Sequence, residues 1–141
     1  MKMRNRILSL TLLAILMVSL AMSAFATTEG GITPYFNNMS TAEATFIIDE
    51  NGIGTITYTC RGYRGITTSI VVDTKIEKQS GSSWVQVEGA SWTDRSTLYY
   101  CINEHSVQLT EGGTYKATLT YTVSGSGGAD DVITREIEKT Y

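Results

Sequence analysis

The chain has 141 residues, 11 basic and 14 acidic, with 13 Gly, one Pro, two Cys and one His. Three of the basic residues and none of the acidic ones lie in 1–26, so residues 27–141 are acidic and offer no basic stripe for nucleic acid. No heptads occur, and apolar runs are too few for a polytopic membrane protein.

Lys2, Arg4 and Arg6 precede an uncharged apolar stretch from Ile7 to Met22, and Ala24-Phe25-Ala26 follows as an A-x-A site. That order is the order of a secretory signal. The stretch falls short of the ~20 apolar residues of a membrane span and is diluted by Ser9, Thr11 and Ser19. The expectation is a cleaved signal peptide at 1–26, a single domain at 27–141, secretion to the extracellular space, and no membrane span after cleavage.

Downstream the chain reads as strands. Ala42, Ala44, Phe46 and Ile48 alternate with Glu43 and Thr45, and Asp49-Glu50-Asn51-Gly52 is a hairpin signal, since Asn-Gly accepts positive φ. In 54–62, Ile56, Tyr58 and Cys60 oppose Thr55, Thr57, Thr59 and Arg61. In 69–78, Ile70, Val72, Thr74 and Ile76 face inward. Gln79 to Ser83 is a turn before Trp84-Val85-Gln86-Val87, with Trp84 read as core, and 89–100 has no readable period. Cys101 is in step with Tyr99, Val107 and Leu109. Thr110-Glu111-Gly112-Gly113 breaks the chain before the clearest strand, where Tyr115, Ala117, Leu119, Tyr121 and Val123 oppose a row of Thr and Lys. Ser124 to Gly128 is a further turn, and 132–141 alternates weakly through Ile133, Ile137 and Tyr141.

Period-two alternation of β-branched and apolar residues fits a pleated, half-buried surface. About seven such strands, separated by turn signals, predict an all-β protein, an antiparallel immunoglobulin-like β-sandwich, with a Greek-key barrel as the second choice. Glu111-x-Gly113-x-Tyr115-x-Ala117 has the form of a tyrosine corner, although an ordinary Tyr at a strand start reads equally well. Ala117 stands where an antibody domain has its second Cys.

Three segments carry a family resemblance: Lys78-Gln79-Ser80-Gly81-Ser82-Ser83-Trp84, Gly113-Thr114-Tyr115-Lys116-Ala117, and the terminal Lys139-Thr140-Tyr141. In these, residues 27–141 resemble small secreted immunoglobulin-like proteins of Gram-positive, clostridia-type bacteria, a group without an assigned activity. The resemblance implies a sandwich and export, and brings no catalytic residues.

Cys60 and Cys101 are the only cysteines, and in an oxidising compartment they are expected to form a disulfide. Closing that loop is worth about 4 kcal/mol in the chain-entropy model. An enzyme would need one of them beside His105, but Cys101 and His105 lie about 13 Å apart along an extended strand. Cys60 could approach His105 across strands, but nothing nearby suggests an oxyanion hole or a complete triad, so His105 reads as a solvated strand-end residue. Asp130-Asp131 reads as a solvated acidic turn, because the ligand spacing of a calcium loop is missing. No metal or other cofactor is expected.

Aromatic side chains in predicted loops are the remaining feature of functional interest, since flat rings stack on sugars and anchor protein partners. Tyr63, Trp92 and Tyr100 are the candidate ligand contacts. The expected function is an exported, non-catalytic binding or surface-interaction module for an unknown protein or glycan at the cell surface, of unknown oligomeric state. The first alternative is a structural subunit that assembles through edge strands into a fibre, with Ile32 to Phe36 as its cue. A small hydrolase is the weaker alternative.

Overall fold

Alternation of apolar with hydroxylated side chains is what builds both sheets. The computed structural model describes residues 35–141, so the expected leader at 1–26 lies outside the described residues. Seven strands follow in order: β1 (Met39–Ile48), β2 (Ile53–Gly62), β3 (Thr67–Ser80), β4 (Ser83–Ser96), β5 (Tyr100–Gln108), β6 (Thr114–Gly125) and β7 (Asp131–Thr140). A three-stranded sheet in the order β1-β2-β5 packs on a four-stranded sheet in the order β4-β3-β6-β7, and every strand pair is antiparallel. The architecture is the expected immunoglobulin-like sandwich. No helix long and apolar enough to cross a membrane occurs among the described residues.

The inward residues are those the period-two pattern selects. Phe46, Ile56, Tyr58 and Cys60 from the first sheet and Ile70, Val72, Ile76, Leu119, Tyr121 and Val123 from the second are all buried. Tyr58 and Tyr121 meet edge-to-face between the sheets, with centroids 6.1 Å apart at 80°, a favourable quadrupolar arrangement. The Tyr121 hydroxyl donates to the Glu43 carbonyl on β1 at 3.1 Å, which ties the two sheets together.

The turns follow their residues. Asp49 accepts the N–H groups of Asn51 and Ile53 at 2.9 and 2.8 Å, and Gly52 takes a φ of 78°. The tyrosine corner is present: the Tyr115 hydroxyl donates to the Glu111 carbonyl at 2.5 Å. Tyr141 is pinned beside it by reciprocal backbone bonds with Gly113, each 2.9 Å.

Two expectations are corrected here. Strand β4 covers 83–96 and takes in most of the segment without a period. Its alternation breaks because Gly89 adopts a φ of 72° and the pairing with β3 shifts register between Lys75 and Glu77. Trp84 is not core. It lies half-buried with the Lys116 ammonium 4.6 Å from its ring, a cation–π contact.

Candidate functional site

One end of the sandwich is assembled around a buried asparagine and a buried carboxylate. Asp131, the first residue of β7, is buried and accepts the backbone N–H groups of Asn37, Asn38 and Met39 at 3.0, 2.6 and 2.8 Å. The expected solvated acidic turn is thus half wrong: Asp130 is exposed and Asp131 is not. Burial raises its carboxyl pKa, but the three N–H donors outweigh that cost and hold it below the usual Asp range. Asn38 passes the constraint on. Its carbonyl accepts the Tyr63 N–H at 3.2 Å and the Thr67 hydroxyl at 2.6 Å. Its side-chain amide bonds Ala129 O at 2.9 Å and Gly127 N at 3.0 Å.

The β2–β3 turn is built on that frame. The Tyr63 N–H also donates to Thr67 Oγ1 at 2.9 Å, while the Tyr63 carbonyl accepts from Ile66 and Thr67 at 3.1 and 2.9 Å. Gly65, at a φ of 80°, closes the turn. Gly62 is obligatory for a different reason, close approach: a Cβ there would stand 2.0 Å from Thr67 Oγ1. The β4–β5 turn lies alongside. Gly62 N donates to Tyr99 O at 2.7 Å, and Ser96 Oγ bridges Tyr100 O at 2.7 Å and Leu98 N at 3.1 Å.

These two turns and the start of β5 display an apolar and phenolic surface. Tyr63, Leu98, Tyr100 and Ile102 are 41, 51, 40 and 54% exposed. Tyr99 and Tyr100 meet edge-to-face at 5.3 Å. Arg64 donates from Nη2 to the Tyr99 hydroxyl at 2.7 Å and lies 4.9 Å from its ring centroid. Two of the three candidate contacts, Tyr63 and Tyr100, are brought together at this end.

Trp92 is not with them. It pairs with Thr74 in the middle of β4, packs against the core, and stacks on His105 with centroids 4.7 Å apart and planes 7° from parallel. It belongs to a polar cluster on the side where β4 and β5 meet. Asp94 Oδ2 accepts from the Tyr58 hydroxyl at 2.6 Å and contacts His105 Nε2 at 2.5 Å, and Asp94 Oδ1 accepts from Asn103 Nδ2 at 2.7 Å. Burial raises the Asp94 pKa, but hydrogen bonds from His105, Tyr58 and Asn103 bring it below the usual range. Burial and the bond to Asp94 push the Tyr58 phenol far upward. His105 is therefore no solvated strand-end residue; it is an inward side chain with a carboxylate partner. Sequence reasoning missed Asp94. The signal that could have found it is the i, i+2 spacing of Trp92 with Asp94 and of Asn103 with His105, which puts each pair on one strand face.

Asp94 holding His105 is the orienting half of a hydrolytic triad, but the imidazole's hydrogen-bond partner among the described residues is Asp94 alone. Cys101 contacts the Tyr58 hydroxyl instead, at 3.9 Å. Burial raises the Cys101 thiol pKa and pushes that of Cys60 up to about 12, far from the thiolate a nucleophile requires. Among the described residues no group of three or more His, Cys, Asp or Glu could hold a metal ion.

Cys60 and Cys101 are direct partners across β2 and β5, both buried, and in this structure both are free thiols. The expected bond is not formed. Gly62 N to Tyr99 O makes 62/99 a hydrogen-bonded pair, and alternation makes 60/101 another, two residues along. At such a pair the Cβ atoms stand at the wide end of the ~4.5–5.5 Å cross-strand range, beyond the ~3.8 Å mean of a disulfide.

At the opposite end a groove of about 370 Å³ lies between the β3–β4 hairpin and the loop after β5, lined in part by Lys78, Val85, Val87, Glu111 and Tyr115. Its charges neutralise each other, Lys78 Nζ standing 2.5 Å from Glu111 Oε2.

No family model matches the chain, and no curated protein matches it. Among solved structures it is similar to a CARDB domain from Pyrococcus furiosus crystallised in complex with di-metal ions. The two are 17% identical over 74% of this chain and 90% of that one, with a TM-score of 0.44.

Proposed function

We propose that this sandwich is an exported, non-catalytic binding module whose contact surface is the end formed by the β2–β3 and β4–β5 turns. The observation that carries the reading is the coincidence of exposed Tyr63, Leu98 and Tyr100 with turns whose backbones are already fixed by Asn38, Thr67 and Ser96. Loops that are ordered before binding lose less entropy on contact, so a small apolar surface gives usable affinity. Export is supported by the basic-apolar-AxA order of residues 1–26. In that compartment Cys60 and Cys101, already in register, would close as a disulfide once β2 and β5 draw together by about 1 Å at that pair.

The fibre alternative has less support. Edge strand β7 carries Arg135, Glu136, Glu138 and Lys139, and Asn103 on edge strand β5 accepts the Glu104 N–H with its own side chain at 2.9 Å. Both devices discourage strand addition. Of its cue, Ile32 to Pro34 lie outside the described residues, while Phe36 packs against the core.

The test is recovery of the protein from the medium of expressing cells, with an N-terminus at Thr27, followed by binding to arrays of cell-envelope proteins and glycans. Tyr63→Ala and Tyr100→Ala should each cut binding at least fivefold with melting temperature unchanged within ~3 °C, because exposed substitutions cost ~0.5 kcal/mol or less. Binding that survives both substitutions would move the site elsewhere.

A further inference from the structure

We propose that the ligand at this end is an acidic saccharide, a short run of sugar rings bearing carboxylates, recognised by Arg61 and Arg64 among the tyrosines. The inference rests on the binding reading above and names its ligand class.

Charge is the first argument. Residues 27–141 hold eight basic against fourteen acidic residues, so an exposed pair of cations is a local exception to the overall charge. Among the described residues Lys75, Lys78 and Lys116 are ion-paired, and Arg61, Arg64, Arg95, Arg135 and Lys139 have no carboxylate within ion-pair distance; of these five, Arg61 and Arg64 are the two beside the exposed tyrosines. Register explains it for Arg61: its partners are Thr41 on β1 and Tyr100 on β5. Two exposed guanidinium groups without carboxylates thus flank an aromatic surface on an otherwise acidic protein.

Geometry is the second. Arg64 is held by the Tyr99 hydroxyl through one Nη2 and lies 4.9 Å from the same ring. A stacked guanidinium loses little freedom on binding, and its remaining N–H donors can meet a carboxylate in two-point fashion. Beside it, phenolic rings offer apolar faces to the C–H side of a sugar and hydroxyls to its rim.

Size is the third. At 40–54% exposure, Tyr63, Leu98, Tyr100 and Ile102 present roughly 280–470 Å² between them, taking ~150–250 Å² for a whole large side chain. A stable protein partner takes roughly 800 Å² from each side. A short oligosaccharide matches the smaller footprint.

The experiment titrates the protein with a panel of short uronate oligosaccharides, each paired with its methyl ester, and with tetraglutamate. At least one uronate should bind, with affinity falling as salt rises, and its ester should bind at least tenfold more weakly. Arg64→Ala should lose at least tenfold, Arg64→Lys at least threefold because the charge stays while the planar fork goes, and Tyr100→Ala at least fivefold. Equal affinity for acid and ester would overturn the role of charge. Equal affinity for tetraglutamate would overturn the saccharide. No binding of any uronate would overturn the whole inference, whereas array binding sensitive to Tyr63 and Tyr100 would still sustain the binding reading.

Discussion

Replacing Asp131 removes one carboxylate and strands three donors, so its cost can be worked from the structure. The N–H groups of Asn38 and Met39 are buried and that of Asn37 is partly buried. A buried donor left without an acceptor costs about 1–3 kcal/mol, so Asp131→Ala should lose about 3–5 kcal/mol, a large share of the ~5–15 kcal/mol of an ordinary domain. At ~4–8 °C per kcal/mol the melting temperature should fall by roughly 12–40 °C. Asp131→Asn retains one acceptor oxygen but turns an NH₂ group toward a donor, and should lose less. The pH dependence is a separate readout. The folded carboxyl lies below its unfolded value of ~3.9, so its contribution is complete above that value and disappears as pH falls through the folded value. Asp94 and Glu111 are held low as well, so the whole acid limb is not Asp131's; the difference between wild type and Asp131→Asn isolates it. Chemical denaturation from pH 7 to 2.5 should show that difference shrinking on the acid side. An Asp131→Ala loss under 1 kcal/mol, or a difference constant with pH, would refute the reasoning.

Trp92→Ala should destabilise the fold by about 2–4 kcal/mol in denaturant unfolding, because a large side chain half-buried against the core and stacked on His105 leaves a cavity. Tyr115→Phe should cost about 1–2 kcal/mol by the same measurement, since the Glu111 carbonyl loses its donor. Thiol labelling of the unreduced, denatured protein should count two sulfhydryls per chain after expression in a reducing cytoplasm and none after recovery from the medium. Two in both preparations would remove the disulfide from the proposal.

Legibility from sequence followed the physics of each element. In β6 every second residue from Tyr115 to Val123 is buried, and a strand covered on one face must alternate, so its pattern could be read directly. The Tyr115 corner could be raised from sequence as one of two even readings because its hydroxyl bond reaches only four residues back. β4 was not, because an edge strand with Gly89 in the left-handed region changes phase in its middle. Asp131 and Asn38 were opaque for another reason. Their bonds join residues more than ninety positions apart, and nothing local distinguishes a buried carboxylate from its exposed neighbour Asp130. Tyr63 and Tyr100 were found as aromatics near turns; that those turns adjoin depends on the β2–β5 pairing.

Two groups of polar side chains contrast in what remains for them to bond. Asp94 accepts from Tyr58 and Asn103 and is in contact with His105, and Asp131 accepts three backbone donors. Groups whose bonding capacity is filled inside the fold hold the fold. Asp94 spans the open side between β4 and β5, and Asp131 fastens the segment before β1 to β7 and, through Asn38, fixes Tyr63. Arg61 and Arg64 are the reverse, charged and exposed with donors to spare beside rings that their own backbone holds still. A ligand gains most where donors are unspent and ordering is already complete, and in this sandwich those two conditions meet at the turns around Tyr63 and Tyr100.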